Sequence, residues 1–135
     1  MSEQNIAFVR SLYEAFGRGD VPTVLAGFAD DIEWNEAEGM PYGGQYHGPQ
    51  AVAENVFGPV TSDFDDFDVS PEEILADGNR VVVLVTHTGT AKESGNKLSM
   101  PAAHVWTVRN GKIAEFRLLA DSATMNAALA VPATA

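Results

Sequence analysis

Apolar positions in the first part of the chain recur every three or four residues. Ile6, Phe8, Val9, Leu12, Tyr13 and Phe16 form such a stripe, and Gly17 with Gly19 stop it, which predicts a first helix. Asp20-Val-Pro is suited to cap and begin a second helix, with Val24, Leu25 and Phe28 as its buried side and Asp30-Asp31 as its exit. Ile32-Glu-Trp34 reads as a short strand. It leads into a long loop, Glu38 to Pro49, rich in glycine and aromatic residues and of the kind that rims a pocket. Pro49 then opens a third helix to about Phe57, turning Val52, Val56 and Phe57 inward. From Phe64 the period changes to two, and four strands are expected at about 65–76, 80–92, 97–108 and 112–120. Asp121 caps a short terminal helix with Met125, Ala128 and Leu129 on its apolar side, before a Val131–Ala135 tail expected to be mobile. Neither a repeat nor a linker divides residues 1–135, so a single domain with an ordered core of about 5–130 is expected. Helices followed by a run of strands indicate an α+β domain, a curved antiparallel sheet wrapped on helices with a hollow between them.

One polar residue interrupts the inner face of the third predicted strand. Met100, Ala102, His104, Trp106 and Val108 share a side, because strand side chains alternate, and His104 alone among them titrates. Its partners depend on register. A two-residue Asn110-Gly111 loop pairs Arg109 with Lys112 and sets His104 opposite Arg117. A three-residue loop with a glycine bulge pairs Val108 with Lys112 and sets His104 opposite Phe116. The second is favoured, because it gathers Trp106, Phe116, Leu118 and Ala120 on one apolar face and leaves Glu115 and Arg117 on the other. In the preceding hairpin, a Gly95-Asn96 loop pairs Ser94 with Lys97 and puts His87 opposite His104, unless Pro101 shifts the register by a bulge.

Composition narrows the partners. With 45% hydrophobic residues in 135, the chain can bury a core without staples, and it has no cysteine to form one. A formal net charge of -11 repels phosphate backbones and anionic lipid, so neither nucleic acid nor membrane is an expected partner. The acidic run from Asp63 to Asp68 reads as a solvated strand entrance. Met-Ser-Glu-Gln-Asn has neither the basic segment nor the apolar run of a signal peptide, so a cytoplasmic protein is expected.

Glu36 lies two residues beyond Trp34 and shares its face if the strand persists that far. There a carboxylate beside an indole would be a usable general base; otherwise it is a solvated loop residue next to Glu38. Asp121 is a helix cap first and a catalytic candidate second. His47 is expected to be exposed. His87 and His104 have no partner at metal-ligand spacing, so no metal is expected, and there is no nucleophile elbow, phosphate loop or dinucleotide fingerprint.

Leu12-Tyr-Glu-Ala-Phe16 with Gly19-Asp20, Phe28-Ala-Asp-Asp-Ile-Glu-Trp34, Tyr46-His-Gly-Pro49 with Val56-Phe57, His104-Val-Trp106, and Gly111-Lys-Ile113 with Asp121 together resemble the nuclear transport factor 2-like superfamily. More narrowly they resemble its SnoaL-like, ketosteroid isomerase-related branch, from Ile6 to Leu129. The resemblance implies a cone-shaped sheet of the cystatin-like α+β barrel type, one deep pocket and a homodimer through the convex sheet face. It also implies an isomerase or cyclase-like proton transfer on a small hydrophobic cyclic or carbonyl compound, needing no cofactor. The general-base aspartate of ketosteroid isomerases falls at Glu36 and an oxyanion donor at His104. The helix-1 tyrosine of those enzymes falls at Leu12, with Tyr13 one position off. The catalytic aspartate of SnoaL-like cyclases falls at Leu118. The expected pocket lining is Leu12, Phe16, Trp34, Phe57, His87, Met100, Trp106, Phe116 and Leu118. The other reading is a non-catalytic small-molecule-binding or dimeric interaction module of the same fold.

Overall fold

The computed structural model describes residues 2–130, so the expectation for the Val131–Ala135 tail lies outside the described residues. Helix α1 spans Ser2–Gly17 and buries Val9, Leu12, Tyr13 and Ala15. Asp20 caps α2 (Val21–Ala26) by accepting from the Thr23 amide, with Pro22 in the first turn where its missing N–H costs nothing. The helix ends there. Phe28, Asp30 and Asp31, expected on its face and at its exit, instead begin β1 (Phe28–Glu36).

A second strand, β2 (Gly44–His47), lies within what the sequence presented as loop, and it pairs antiparallel with β1. The third helical segment is longer than expected. It runs as α3 (Pro49–Val52), a π-helical turn (Ala53–Phe57) and α4 (Gly58–Asp63), and it buries Val52, Val56, Phe57 and Val60. Pro59 has no N–H to continue the ladder, and the helix widens just before it. Strands β3 (Phe64–Asp77), β4 (Arg80–Ala91), β5 (Lys97–Arg109) and β6 (Lys112–Ala120) follow the predicted spans within a residue or so, and α5 (Ser122–Leu129) comes after them. Among the described residues no helix is long and apolar enough to cross a membrane.

The six strands form one open, curved sheet in the order β2-β1-β6-β5-β4-β3. It is mixed rather than wholly antiparallel, because β1 and β6 run parallel. That pairing sets Trp34 beside Phe116, and their rings stack at 3.8 Å.

Both hairpin registers differ from expectation, yet each keeps the expected face. Asn110 and Gly111 form a two-residue turn with φ of 54° and 72°, as a type I′ turn requires, and Arg109 pairs with Lys112. The bulge lies beyond the turn. Val108 pairs with Ile113 and Thr107 with Glu115, so Ala114 is the extra residue and His104 comes opposite Leu118 rather than Phe116 or Arg117. Between β4 and β5 the turn is longer than two residues: Thr90 pairs with Lys97, His87 with Met100 and Val83 with His104, with no shift at Pro101. At His104 and at His87 each register departs from the favoured one by an even number of residues, the bulge at Ala114 having made up the odd step at the turn. Side-chain facing repeats every two, so the inner face survives.

Candidate functional site

The concave side of the sheet, α1, α2, the π-helical turn, α4 and α5 enclose a cavity that holds Glu36 and a chain of buried aromatic and imidazole groups. Of the expected lining, Leu12, Phe16, Trp34, Phe57, His87, Trp106, Phe116 and Leu118 are present, together with the candidates Glu36 and His104. Met100 is not. It is fully buried opposite His87, inside the packed core rather than on the cavity surface. Met40 and Tyr42, on the loop between β1 and β2, complete the wall on the Glu36 side.

Glu36 ends β1 on the same face as Trp34, so the strand does persist that far. Only 8% of the residue is exposed, and the solvated alternative is gone. Its Oε1 accepts from Trp34 Nε1 at 2.8 Å, and Oε2 has no protein partner among the described residues. Burial pushes its carboxyl up to about 7, against the opposing hydrogen bond from Trp34. Near neutral pH the group therefore divides between its acid and base forms. Beyond it, Tyr42 donates to Asp63 Oδ2 at 2.7 Å, so Asp63 anchors the loop over the cavity instead of standing free at a strand entrance.

Across the cavity the polar groups are arranged in series. Trp106 Nε1 donates to Tyr13 Oη at 2.9 Å, Tyr13 Oη lies 2.6 Å from His104 Nδ1, and His104 Nε2 lies 3.0 Å from His87 Nε2. The two histidines meet although they are not opposite one another. The rung between them is Val85 with Ala102, and the concave sheet brings the rings together over it with centroids 5.2 Å apart. Burial, and secondarily His87, holds His104 well below the usual imidazole range, and burial takes His87 down to about 4. Both rings are neutral at pH 7. The sequence made His104 an oxyanion donor, but both of its nitrogens are engaged within the protein. Tyr13, one position off the place of the ketosteroid isomerase tyrosine, lines the cavity beside Leu12 and ties helix to sheet.

The sequence reading passed over Tyr13 as a functional group, although its signal was present: it stands on the buried stripe of α1. Tyr42 carried no such signal, because its loop has no periodicity. The two remaining candidates lie outside the cavity. Asp121 is exposed and caps α5 through the amide and hydroxyl of Thr124, which hold its carboxyl low. His47 is exposed, 3.7 Å from Glu33. Among the described residues no group of three histidine or acidic side chains is placed to hold a metal ion.

The cavity is small. Its free volume is about 80 Å³, below the roughly 150 Å³ that accommodates one benzene ring. All of its lining residues are buried except Phe16, Phe67 and Val69, which are partly exposed and therefore mark its mouth, between the end of α1 and the start of β3.

A family model described as the SnoaL-like domain matches residues 9–116. Among solved structures, an NTF2-like protein of unknown function from Burkholderia pseudomallei K96243 is 36% identical, covers 93% of this chain and 96% of its own, and superposes with a TM-score of 0.85. An NTF2-like protein from Burkholderia thailandensis E264 is 28% identical over 93% of this chain and 97% of its own, with a TM-score of 0.89. TerC, co-crystallised with polyporic acid, is 27% identical over 93% and 97% of the two chains, with a TM-score of 0.84. Among the curated proteins none matches.

Proposed function

The chain belongs to the SnoaL-like domain family within the NTF2-like superfamily, and from that premise we propose that it is an acid–base enzyme acting on a small apolar carbonyl compound. The observation that carries this reading is Glu36: a carboxyl group enclosed in an apolar cavity, one oxygen fixed by Trp34 and the other unpartnered, balanced between its two protonation states near neutral pH. Glu36 takes the proton from the carbon next to the carbonyl. The C–H electron pair moves into the enolate, and the same carboxyl returns the proton to complete an isomerisation or allow a ring closure. No cofactor enters this sequence. That TerC, of the same fold, was co-crystallised with polyporic acid supports an organic ligand for this chain.

The alternative, a non-catalytic binding module, is favoured by one observation: His104 has no free donor to steady an enolate. Solvent deuterium exchange separates the two. With cyclic enones and polyketide-like aromatics in deuterated buffer, Glu36→Gln keeps ligand affinity and abolishes exchange at the carbon next to the carbonyl. Tight binding without exchange in the unmodified protein would defeat the enzyme reading.

The proposal includes a cytoplasmic homodimer. On the outer sheet face Leu84, Ala103 and Leu119 fall on one rung, with Val82 and Val105 on the next, and Leu84 and Leu119 are 41% and 49% exposed. A second copy seated there would cover them. A sedimenting mass of a single chain at micromolar concentration would reject this part.

A further inference from the structure

The polar chain across the cavity has a direction, and it ends in an unsatisfied group. A tryptophan N–H can only donate, so Tyr13 Oη accepts from Trp106 and has its own proton left to give. If that proton goes to His104 Nδ1, the neutral His104 ring carries its hydrogen on Nε2 and donates it to His87 Nε2. His87 is then the Nδ1–H tautomer. The reverse direction would leave two groups without partners, the Tyr13 hydroxyl proton and the His87 Nδ1 lone pair. The forward direction leaves one, the His87 Nδ1–H, and fewer orphans is the cheaper state. His87 Nδ1 is the one fully buried side-chain polar atom without a partner among the described residues.

Phe67 stands against this imidazole, its ring nearly perpendicular and 5.7 Å away centroid to centroid. Phe67 is also one of the three lining residues at the mouth. Its backbone is paired on one side only and irregular there: β3 is an edge strand, and between the Asp65–Thr90 and Asp68–Thr88 pairs it bulges, with Asp66 at φ 54°. The cavity is too small for a ring compound until a wall residue moves, and Phe67 with its neighbour Phe16 is placed to move.

We propose that His87 donates the hydrogen bond that holds the ligand's carbonyl oxygen, and that Phe67 is the door whose opening admits the ligand and uncovers that donor. Trp106, Tyr13 and His104 are positioning residues that fix the tautomer. The inference deepens the cavity reading above and rests on it. It assigns the ligand a geometry: a compact ring with its oxygen at β4 and its acidic carbon toward Glu36.

The first test needs no ligand. Long-range proton–nitrogen correlation at neutral pH, on the unmodified protein, is expected to show hydrogen on Nδ1 of His87 and on Nε2 of His104; the opposite tautomers would overturn the assignment. The second test uses cyclohex-2-enone as probe. An asparagine amide can stand where Nδ1 stands and a glutamine amide reaches where Nε2 stands, so His87→Asn should bind the probe within about threefold of the parent and His87→Gln should lose about tenfold or more. Equal affinities, or no saturable binding of the probe by the parent, would overturn the proposal. Phe67→Ala should speed probe association by about tenfold, and an unchanged rate would remove the door. Failure here is distinct from failure of the acid–base reading. If exchange depends on Glu36 while the asparagine and glutamine variants bind alike, only His87 loses its role; if they differ while Glu36→Gln still exchanges, only the base does.

Discussion

At the β1 side of the cavity, Glu36 accepts from Trp34 with one oxygen and keeps the other free; at the β4–β5 side, Trp106, Tyr13 and His104 have every polar atom engaged, the last by His87, and only His87 Nδ1 at the end of the row is left over. Burial acts on both regions in the same sense, against charge. For the acid that means a raised pKa and a proton that comes and goes near pH 7, whereas the histidines are pushed down and stay neutral there. The same apolar cavity thus holds one mobile proton and a row of fixed ones. Proton transfer is concentrated at Glu36, whose hydrogen bonding is left incomplete, and rigidity in the row from Trp106 to His104, where it is complete.

If that contrast is real, the largest effect on stability comes from the complete side. Tyr13→Phe strands the Trp106 N–H and His104 Nδ1 in one step, and at about 1–3 kcal/mol for each buried orphan the fold should lose about 2–6 kcal/mol in denaturant unfolding. A loss under about 1 kcal/mol would mean the chain is not holding helix to sheet.

Glu36→Gln should have a smaller effect of opposite sign, and one that depends on pH. The folded state holds the Glu36 proton up to about 7 and the unfolded chain releases it near 4.5. Between those values the folded state binds more protons, so the acid's contribution to stability falls as pH rises through that window. The variant should therefore match the parent below about pH 4.5 and exceed it by up to about 3 kcal/mol at pH 8. A difference that does not vary with pH would show that Glu36 is not desolvated. The mildest intervention is Trp34→Phe. Loss of the donor to Oε1 removes the one hydrogen bond opposing burial, and the carboxyl carbon resonance of Glu36 should titrate about one unit higher, with the histidine tautomers unchanged.

The four long strands were legible because a period of two dominates from Phe64 to Ala120, most clearly in β4 and β5, with glycine or asparagine at the turns. β2 was not, because Gly44-Gln-Tyr-His47 is too short and polar to alternate, and an edge strand needs only backbone pairing with β1. Phe28 was misassigned because its spacing from Val24 and Leu25 fits a helical stripe as well as a strand start. Periodicity cannot choose between them once Gly27 intervenes. For the cavity, parity carried the argument: the pairs predicted for His104 and His87 were displaced, yet by even steps, so their faces were right. What parity could not supply was depth. Met100 shares the inner face and lies below the cavity floor. The engagement of both His104 nitrogens depends on Tyr13, ninety-one positions away, which no local pattern reveals.

The parallel pairing of β1 with β6 also sets the order in which this molecule can come into being. Glu36 and Trp34 leave the ribosome about eighty residues ahead of the strand that covers them on one side, whose Phe116 stacks on Trp34. Until then the emerging chain carries an indole and a carboxyl with half of their shelter missing, and Glu36 is an ordinary solvated acid. Its proton affinity is acquired only when β1 and β6 meet. A nascent chain halted before β6 would hold every residue of the β1 side and none of its chemistry.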